Sequence, residues 1–238
     1  MVGLGPGARE ELSQRAVNAL CNSETIIGYK LYIDMVLDLV QDKHVIVSAM
    51  REEVERVGLA LEEAQRGKRV CVVSGGDSGV YGMAGLVLEM ACKENIQLPI
   101  EVIPGIPAAN AAAALLGAPL MHDYAMISLS DLLTSWDIIE KRIKCAAEAD
   151  FVIVLYNPKS SQRDWQIGKA AEIILQYKSP DTPVGIVKNV TREGELSTIT
   201  TLEKMASCFI DMTTIIIVGN STTFLCRNYM ITRRGYRI

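Results

Sequence analysis

Short, almost purely apolar runs alternate along the chain with longer stretches in which apolar positions recur every three or four residues. Runs of the first kind read as buried strands and stretches of the second as amphipathic helices, so their alternation predicts an α/β protein. The first run, Met1-Val2-Gly3-Leu4, is a stub, after which Leu12, Ala16 and Leu20 fall on one helical stripe. Val45-Ile46-Val47 predicts the second strand, and Val54, Val57, Leu61 and Ala64 predict a helix ending near Gly67. Strands over 70–73 and 100–103 follow, with helices over 82–94 and 108–116.

At Gly117-Ala118-Pro119 a helix ends and the pattern restarts, which places the expected boundary between an amino-terminal domain, 1–118, and a carboxy-terminal domain, 119–238. In the second half the pattern predicts strands over 124–128, 151–156, 184–187, 214–218 and 229–232. Helices are expected over 136–149, 164–177 and 202–207, with Ile139, Ile143 and Ala147 on one stripe of the first. The second sheet is expected to be mixed. The chain opens inside its first strand, which leads us to expect missing amino-terminal residues or a start codon placed too late.

Composition narrows the function classes. The 238 residues are 49% hydrophobic and 22% charged, which suits one large core or two smaller ones and not a disordered chain. A net charge of −4 argues against a nucleic-acid backbone as partner, which would call for a clustered basic surface. Cys21, Cys71, Cys92, Cys145, Cys208 and Cys226 are scattered without a C-x-x-C pair, so neither a zinc site nor a redox motif is signalled. They are read as buried free thiols of a cytoplasmic protein. Residues 102–121 carry no charge, but Pro104, Gly105, Pro107, Gly117 and Pro119 break the run. Only 108–116 can be uninterrupted helix, about 14 Å long, which is too short for a bilayer, so no membrane partner is expected.

Candidate chemistry lies in the loops after the strands. Ser74-Gly75-Gly76-Asp77-Ser78-Gly79-Val80-Tyr81-Gly82 follows an apolar strand and combines a bendable backbone with a carboxylate. It reads either as a ligand-binding loop, with Asp77 facing a ribose hydroxyl or a cation and Tyr81 near the same crevice, or as a tight strand-to-helix connection. Gly3-Leu4-Gly5-Pro6-Gly7-Ala8 formally fits the dinucleotide fingerprint G-x-G-x-x-A, but Pro6 removes an N–H that a phosphate would use. Such a loop suits a flat or bulky ligand better than a pyrophosphate. Ile103-Pro104-Gly105-Ile106-Pro107-Ala108-Ala109 is a third loop of this kind, or simply a helix start. Tyr156-Asn157-Pro158-Lys159-Ser160 and Val218-Gly219-Asn220-Ser221-Thr222 repeat the theme in the second half.

No nucleophile motif or histidine-rich metal cluster accompanies these loops. His44 reads as a surface residue, whereas His122, beside Asp123, reads as a general base, a metal contact or a hydrogen-bonded residue between domains.

Taken together, these loops resemble the tetrapyrrole (corrin/porphyrin) methylase family. The family's G-x-G-P-G start corresponds to Gly3-Leu4-Gly5-Pro6-Gly7, its S-G-D-P-x-x-Y-G loop to residues 74–82, and its P-G-[VI]-T-A-A turn to residues 104–109. Gly117-Ala118-Pro119-Leu120-Met121-His122-Asp123-Tyr124, Ile127-Ser128-Leu129-Ser130-Asp131-Leu132-Leu133-Thr134 and Tyr156-Asn157-Pro158-Lys159-Ser160 resemble its precorrin-3B C(17)-methyltransferase and cobalt-factor III branch. Val218-Gly219-Asn220-Ser221 and Arg234-Gly235-Tyr236 carry the likeness to the end of the chain. Ser78 stands where the family has proline, Pro107 where it has threonine, and Ala8 where it has an acid.

The resemblance implies two α/β domains enclosing S-adenosylmethionine in a cleft, within a homodimer. It implies transfer of a methyl group to carbon 17 of a precorrin-3-level tetrapyrrole in cobalamin biosynthesis, coupled to ring contraction. Carried over, the cofactor contacts are Pro6, Gly75, Gly76, Asp77, Val80, Tyr81, Pro107, Ala108, Asn157 and Val190. His122 and Asp123 are the expected proton-transfer groups, and Ser128, Ser130 and Asp131 the expected substrate contacts; no protein-bound metal is implied. Because the substrate bears many carboxylates and the protein is net acidic, a local cationic lining is expected. Arg51, Arg163, Lys188, Arg192 and Arg233 are its candidates, or else solvated surface charges. Action at another tetrapyrrole position, or binding without catalysis, stays open.

Overall fold

The computed structural model describes residues 1–160 and 163–237. Its contacts divide the chain into two compact units, Met1–Ala108 and Ala109–Ile238.

The first unit contains strands β1 (Val2–Gly3), β2 (Thr25–Tyr29), β3 (His44–Ser48) and β4 (Val70–Ser74). Between and after them run helices α1 (Gln14–Asn22), α2 (Lys30–Asp34), α3 (Leu37–Val40), α4 (Glu53–Gln65) and α5 (Ala84–Lys93). The strands pair in the order β1-β4-β2-β3, every pair parallel, which is why helical crossovers separate them. Alternate residues point to opposite faces. Ile26, Cys71 and Val73 join Ala16 and Leu20 of α1 on one side, while Ile27 and Val72 join Val57, Leu61 and Val87 of α4 and α5 on the other. Helix α1 starts at Ser13, whose Oγ accepts the Ala16 N–H at 3.1 Å.

Two expectations change here. Strand β2 has no counterpart in the predicted elements, because Gly28 interrupts its apolar run. A Cβ at Gly28 would collide with Val73 Cγ2, so this glycine leaves room for the Val73 side chain of the neighbouring β4. Residues 100–103 form no strand beyond one parallel bridge, Val2 to Ile103. Pro99 and Pro104 flank the segment and lack the amide donors that longer pairing needs.

The second unit takes α6 (Ala108–Leu116), β5 (Gly117–Ala118), β6 (Tyr124–Ser128), α7 (Trp136–Glu148), β7 (Val152–Tyr156), α8 (Gln166–Ile174) and β8 (Pro183–Lys188). Strands β9 (Leu196–Thr201), β10 (Thr214–Val218), β11 (Thr223–Cys226) and β12 (Tyr229–Thr232) complete it. The main sheet has the order β6-β7-β10-β8-β9; β6 and β7 are parallel and the other pairs antiparallel, a mixed sheet as the pattern predicts. Helices α7 and α8 cover one face through Ile139, Ile143, Ile167 and Ile174. On β8, Gly185 leaves room for Leu116 of α6, and β5 pairs with β12. These attachments draw α6 into the second unit, so the contacts divide the chain one helix ahead of Gly117-Ala118-Pro119.

The thiols differ from expectation. Cys71 is buried, but Cys21, Cys92, Cys145 and Cys226 are exposed and Cys208 is partly so. An apolar run does not reveal which of its positions face outward. Among the described residues no helix is long and apolar enough to cross a membrane.

Candidate functional site

In the first unit three loops meet beyond the carboxyl ends of β1 and β4. Gly5 and Gly76, both at positive φ (73° and 64°), exchange two backbone hydrogen bonds of 3.0 and 2.7 Å. Gly3 donates to the Ile103 carbonyl at 2.9 Å, which brings the third loop alongside. A Cβ on Gly105 would run into the Gly76 carbonyl and stand 2.8 Å from the Gly5 nitrogen, so three backbones converge where only glycine fits.

Asp77 locks this convergence. Its Oδ1 accepts the N–H groups of Gly79 and Val80 at 2.8 and 3.1 Å, and its Oδ2 accepts the Gly105 N–H at 3.0 Å. The carboxylate therefore shapes the loop from within, a role the sequence reading of a ribose or cation contact does not contain. Ser78 is completely buried and donates its hydroxyl to the Ile103 carbonyl at 3.1 Å, fastening by hydrogen bond a position that the family fills with proline. Pro6 is buried, Gly75, Gly76, Val80, Pro107 and Ala108 are half-buried, and Tyr81 is exposed at a φ of 52°. The loops thus offer backbone and small apolar groups at one edge of a parallel sheet, which fits the flat nucleoside part of S-adenosylmethionine.

The second unit brings another predicted set together. Because β6 and β7 run parallel with Ser128 opposite Tyr156, the loops that follow them are neighbours. Asn157, at a φ of 50°, donates from Nδ2 to Ser128 Oγ at 2.9 Å, and the same oxygen accepts the Ser130 N–H at 3.2 Å. Arg163 closes the ring: Nη1 donates to Ser130 Oγ at 3.0 Å and Nη2 to the Asn157 carbonyl at 2.9 Å. Asp131 accepts from Nε2 of the buried Gln166 at 3.0 Å, while Gln166 Oε1 is buried with no partner among the described residues. Val190 is buried in the turn after β8, between Asn189 and Thr191, both at positive φ. The pairing of β7 with β10 and of β10 with β8 places this turn at the sheet edge that carries Asn157.

His122 and Asp123 stand elsewhere. They precede β6, whereas Ser128 ends it, so within the second unit about 16 Å of strand separates them from the ring. Both are exposed, and His122 Nδ1 accepts the Asp123 backbone N–H at 2.9 Å. The other candidate cations are also dispersed. Lys188 pairs with Asp211 at 2.8 Å and lies 4.6 Å from the Phe209 ring center, and Arg233 lies 4.7 Å from the ring of Phe224. Arg51 is exposed at a φ of 69° and Arg192 is half-buried. Sequence reasoning missed Gln166 and the Tyr156 hydroxyl, which accepts the Ala109 N–H at 3.0 Å, because neither residue type signals a contact by itself. Among the described residues no group of three His, Cys, Asp or Glu could hold a metal ion.

A family model described as Tetrapyrrole (Corrin/Porphyrin) Methylases matches residues 1–206. The chain belongs to this family. Over 238 residues it is 48% identical to a probable cobalt-factor III C(17)-methyltransferase of Salmonella typhimurium, covering 100% of this chain and 99% of that one. It is 50% identical to a cobalt-factor III methyltransferase of Priestia megaterium, of which it spans 45%. The crystal structure of the methyltransferase CobJ superposes with a TM-score of 0.91 at 34% identity, covering 98% of both chains. The family and the two-part α/β fold implied by the loop motifs are thereby borne out, and with them the class of enzyme, a methyltransferase.

Proposed function

We propose that this tetrapyrrole methylase methylates carbon 17 of cobalt-factor III or precorrin-3B in cobalamin biosynthesis, with contraction of the macrocycle. The observation that carries the reading is the end-to-end likeness, at 48% identity, to a relative of the same length bearing that C(17) name. S-adenosylmethionine, the methyl donor of the family, supplies an electrophilic methyl on a sulfonium and leaves as S-adenosylhomocysteine.

Methyl transfer from a sulfonium asks mainly for alignment of acceptor carbon and methyl, so rigid binding loops supply much of the acceleration. The first unit offers Pro6, Gly75, Gly76, Asp77, Val80, Tyr81, Pro107 and Ala108 to the cofactor, with Asp77 acting by holding the amides of Gly79, Val80 and Gly105 in place. The second contributes Asn157 and Val190 to the cofactor and Ser128, Ser130 and Asp131 to the tetrapyrrole. Ring contraction needs proton transfers; the exposed His122 and Asp123, remote from the ring of Ser128 and Asn157 along β6, are assigned no step. A cytoplasmic homodimer completes the proposal.

Incubation with methyl-labelled S-adenosylmethionine and either tetrapyrrole, read by mass, tests it. One added labelled methyl, located at carbon 17 by carbon NMR, is expected. A methyl at another carbon, or binding without turnover, overturns the assignment.

A further inference from the structure

The ring Ser128–Asn157–Arg163–Ser130 holds one charge that nothing in it balances. Arg163 gives Nη1 to a hydroxyl and Nη2 to a carbonyl, both neutral, and among the described residues it forms no ion pair. Its Nε is buried with no acceptor among the described residues. Its own backbone exchanges hydrogen bonds of 2.7 and 3.2 Å with that of Ser160. The nearby carboxylate of Asp131 is turned to Gln166 at 3.0 Å. A half-buried guanidinium with no counter-ion among the described residues is costly unless an anion arrives from outside the chain. Of the five candidate cations, Lys188 already has its carboxylate in Asp211 and Arg233 its aromatic face in Phe224.

We propose that Arg163 binds a carboxylate side chain of the tetrapyrrole and so orients the macrocycle against Ser128 and Ser130. This rests on the proposed tetrapyrrole substrate. A planar fork suits a carboxylate better than an ammonium does, and the two hydrogen bonds already made hold the fork before the ligand arrives. Arg163 also supports Asn157, a proposed cofactor contact, through its carbonyl. A purely structural role would therefore weaken cofactor and tetrapyrrole to the same degree, whereas a carboxylate anchor weakens the tetrapyrrole far more than the cofactor.

The test measures binding of cobalt-factor III by absorbance titration, binding of S-adenosylhomocysteine by calorimetry, and turnover, for the wild-type protein, Arg163→Gln and Arg163→Lys. Arg163→Gln is expected to raise the Kd and KM for the tetrapyrrole roughly 10- to 100-fold and the cofactor Kd far less. Arg163→Lys is expected to recover part of the loss. Tetrapyrrole affinity equal to wild type in Arg163→Gln, or a parallel fall of both affinities, overturns the assignment. Should Arg163→Gln not fold, the tetrapyrrole mono-methyl esters decide: one ester should bind the wild type more weakly, and that penalty should shrink in Arg163→Lys while those of the other esters stay the same. Equal penalties in both proteins overturn the proposal. A wild-type protein that binds no tetrapyrrole overturns the proposed function itself, a result distinct from any of these.

Discussion

Asp77 Oδ2 accepts the backbone N–H of Gly105 at 3.0 Å, joining the loop after β4 to the loop that leads into α6. With Oδ1 on Gly79 and Val80, one carboxylate sets the shape of both loops. Asp77→Ala is expected to lower stability by about 2 kcal/mol, the scale of hydrogen bonds to a charged acceptor, and to weaken S-adenosylmethionine binding. Asp77→Asn keeps one carbonyl acceptor and should fall between. Urea unfolding and calorimetry check both; undiminished affinity in Asp77→Ala would show that the loop holds its shape without the carboxylate.

Gly105 and Gly58 make an opposed pair. A Cβ at Gly105 meets backbone atoms of Gly76, Gly5 and Gly3, none of which can swing aside, while at Gly58, inside α4, nothing lies within 4 Å. Gly105→Ala should therefore destabilise the protein severely and abolish cofactor binding. Gly58→Ala should stabilise it by about 0.5–1 kcal/mol through helix propensity. Thermal unfolding of the two variants is the check.

Asp211 predicts an acid-dependent loss of stability. Burial works to raise its pKa from 3.8, but hydrogen bonds from Lys188, Thr213 and Thr214 outweigh burial and hold it at about 2. A depressed carboxylate stabilises the fold above its unfolded value, and that contribution is lost as pH falls from about 4 to about 2. The loss should be at most about 2 kcal/mol after solvent screening and should largely vanish in Asp211→Asn, read as the melting temperature across that window.

Thiol chemistry checks the burial pattern. Cys21, Cys92, Cys145 and Cys226 are exposed and should react with Ellman's reagent in the native protein. Cys71 should react only on unfolding: burial pushes its thiol pKa up, opposed by the Ser23 hydroxyl, which lies 2.9 Å from its sulfur. Reaction of Cys71 at the rate of the other four would contradict the packed face of β4.

The hydrophobic pattern by itself determined most elements, because a strand buried on both faces and a helix with one apolar stripe leave different periods. Helix α6 and strands β6, β10 and β12 lie where the pattern predicts them. Strand β9, Leu-Ser-Thr-Ile-Thr-Thr, escaped because it is the edge of its sheet and three of its six residues are exposed. The loop motifs likewise determined the family, since glycines at converging backbones and the residues 127–134 leave their mark in the order of the chain.

Partnership was decided only in three dimensions. Parallel pairing of β6 and β7 brings Ser128 beside Asn157 and lets Arg163 bridge Asn157 and Ser130, while the direction of β6 puts His122 and Asp123 at its far end. A sequence shows which residues can donate, accept or carry charge. Which acceptor each donor meets depends on strand direction and register, and these are set by contacts between segments distant in the chain.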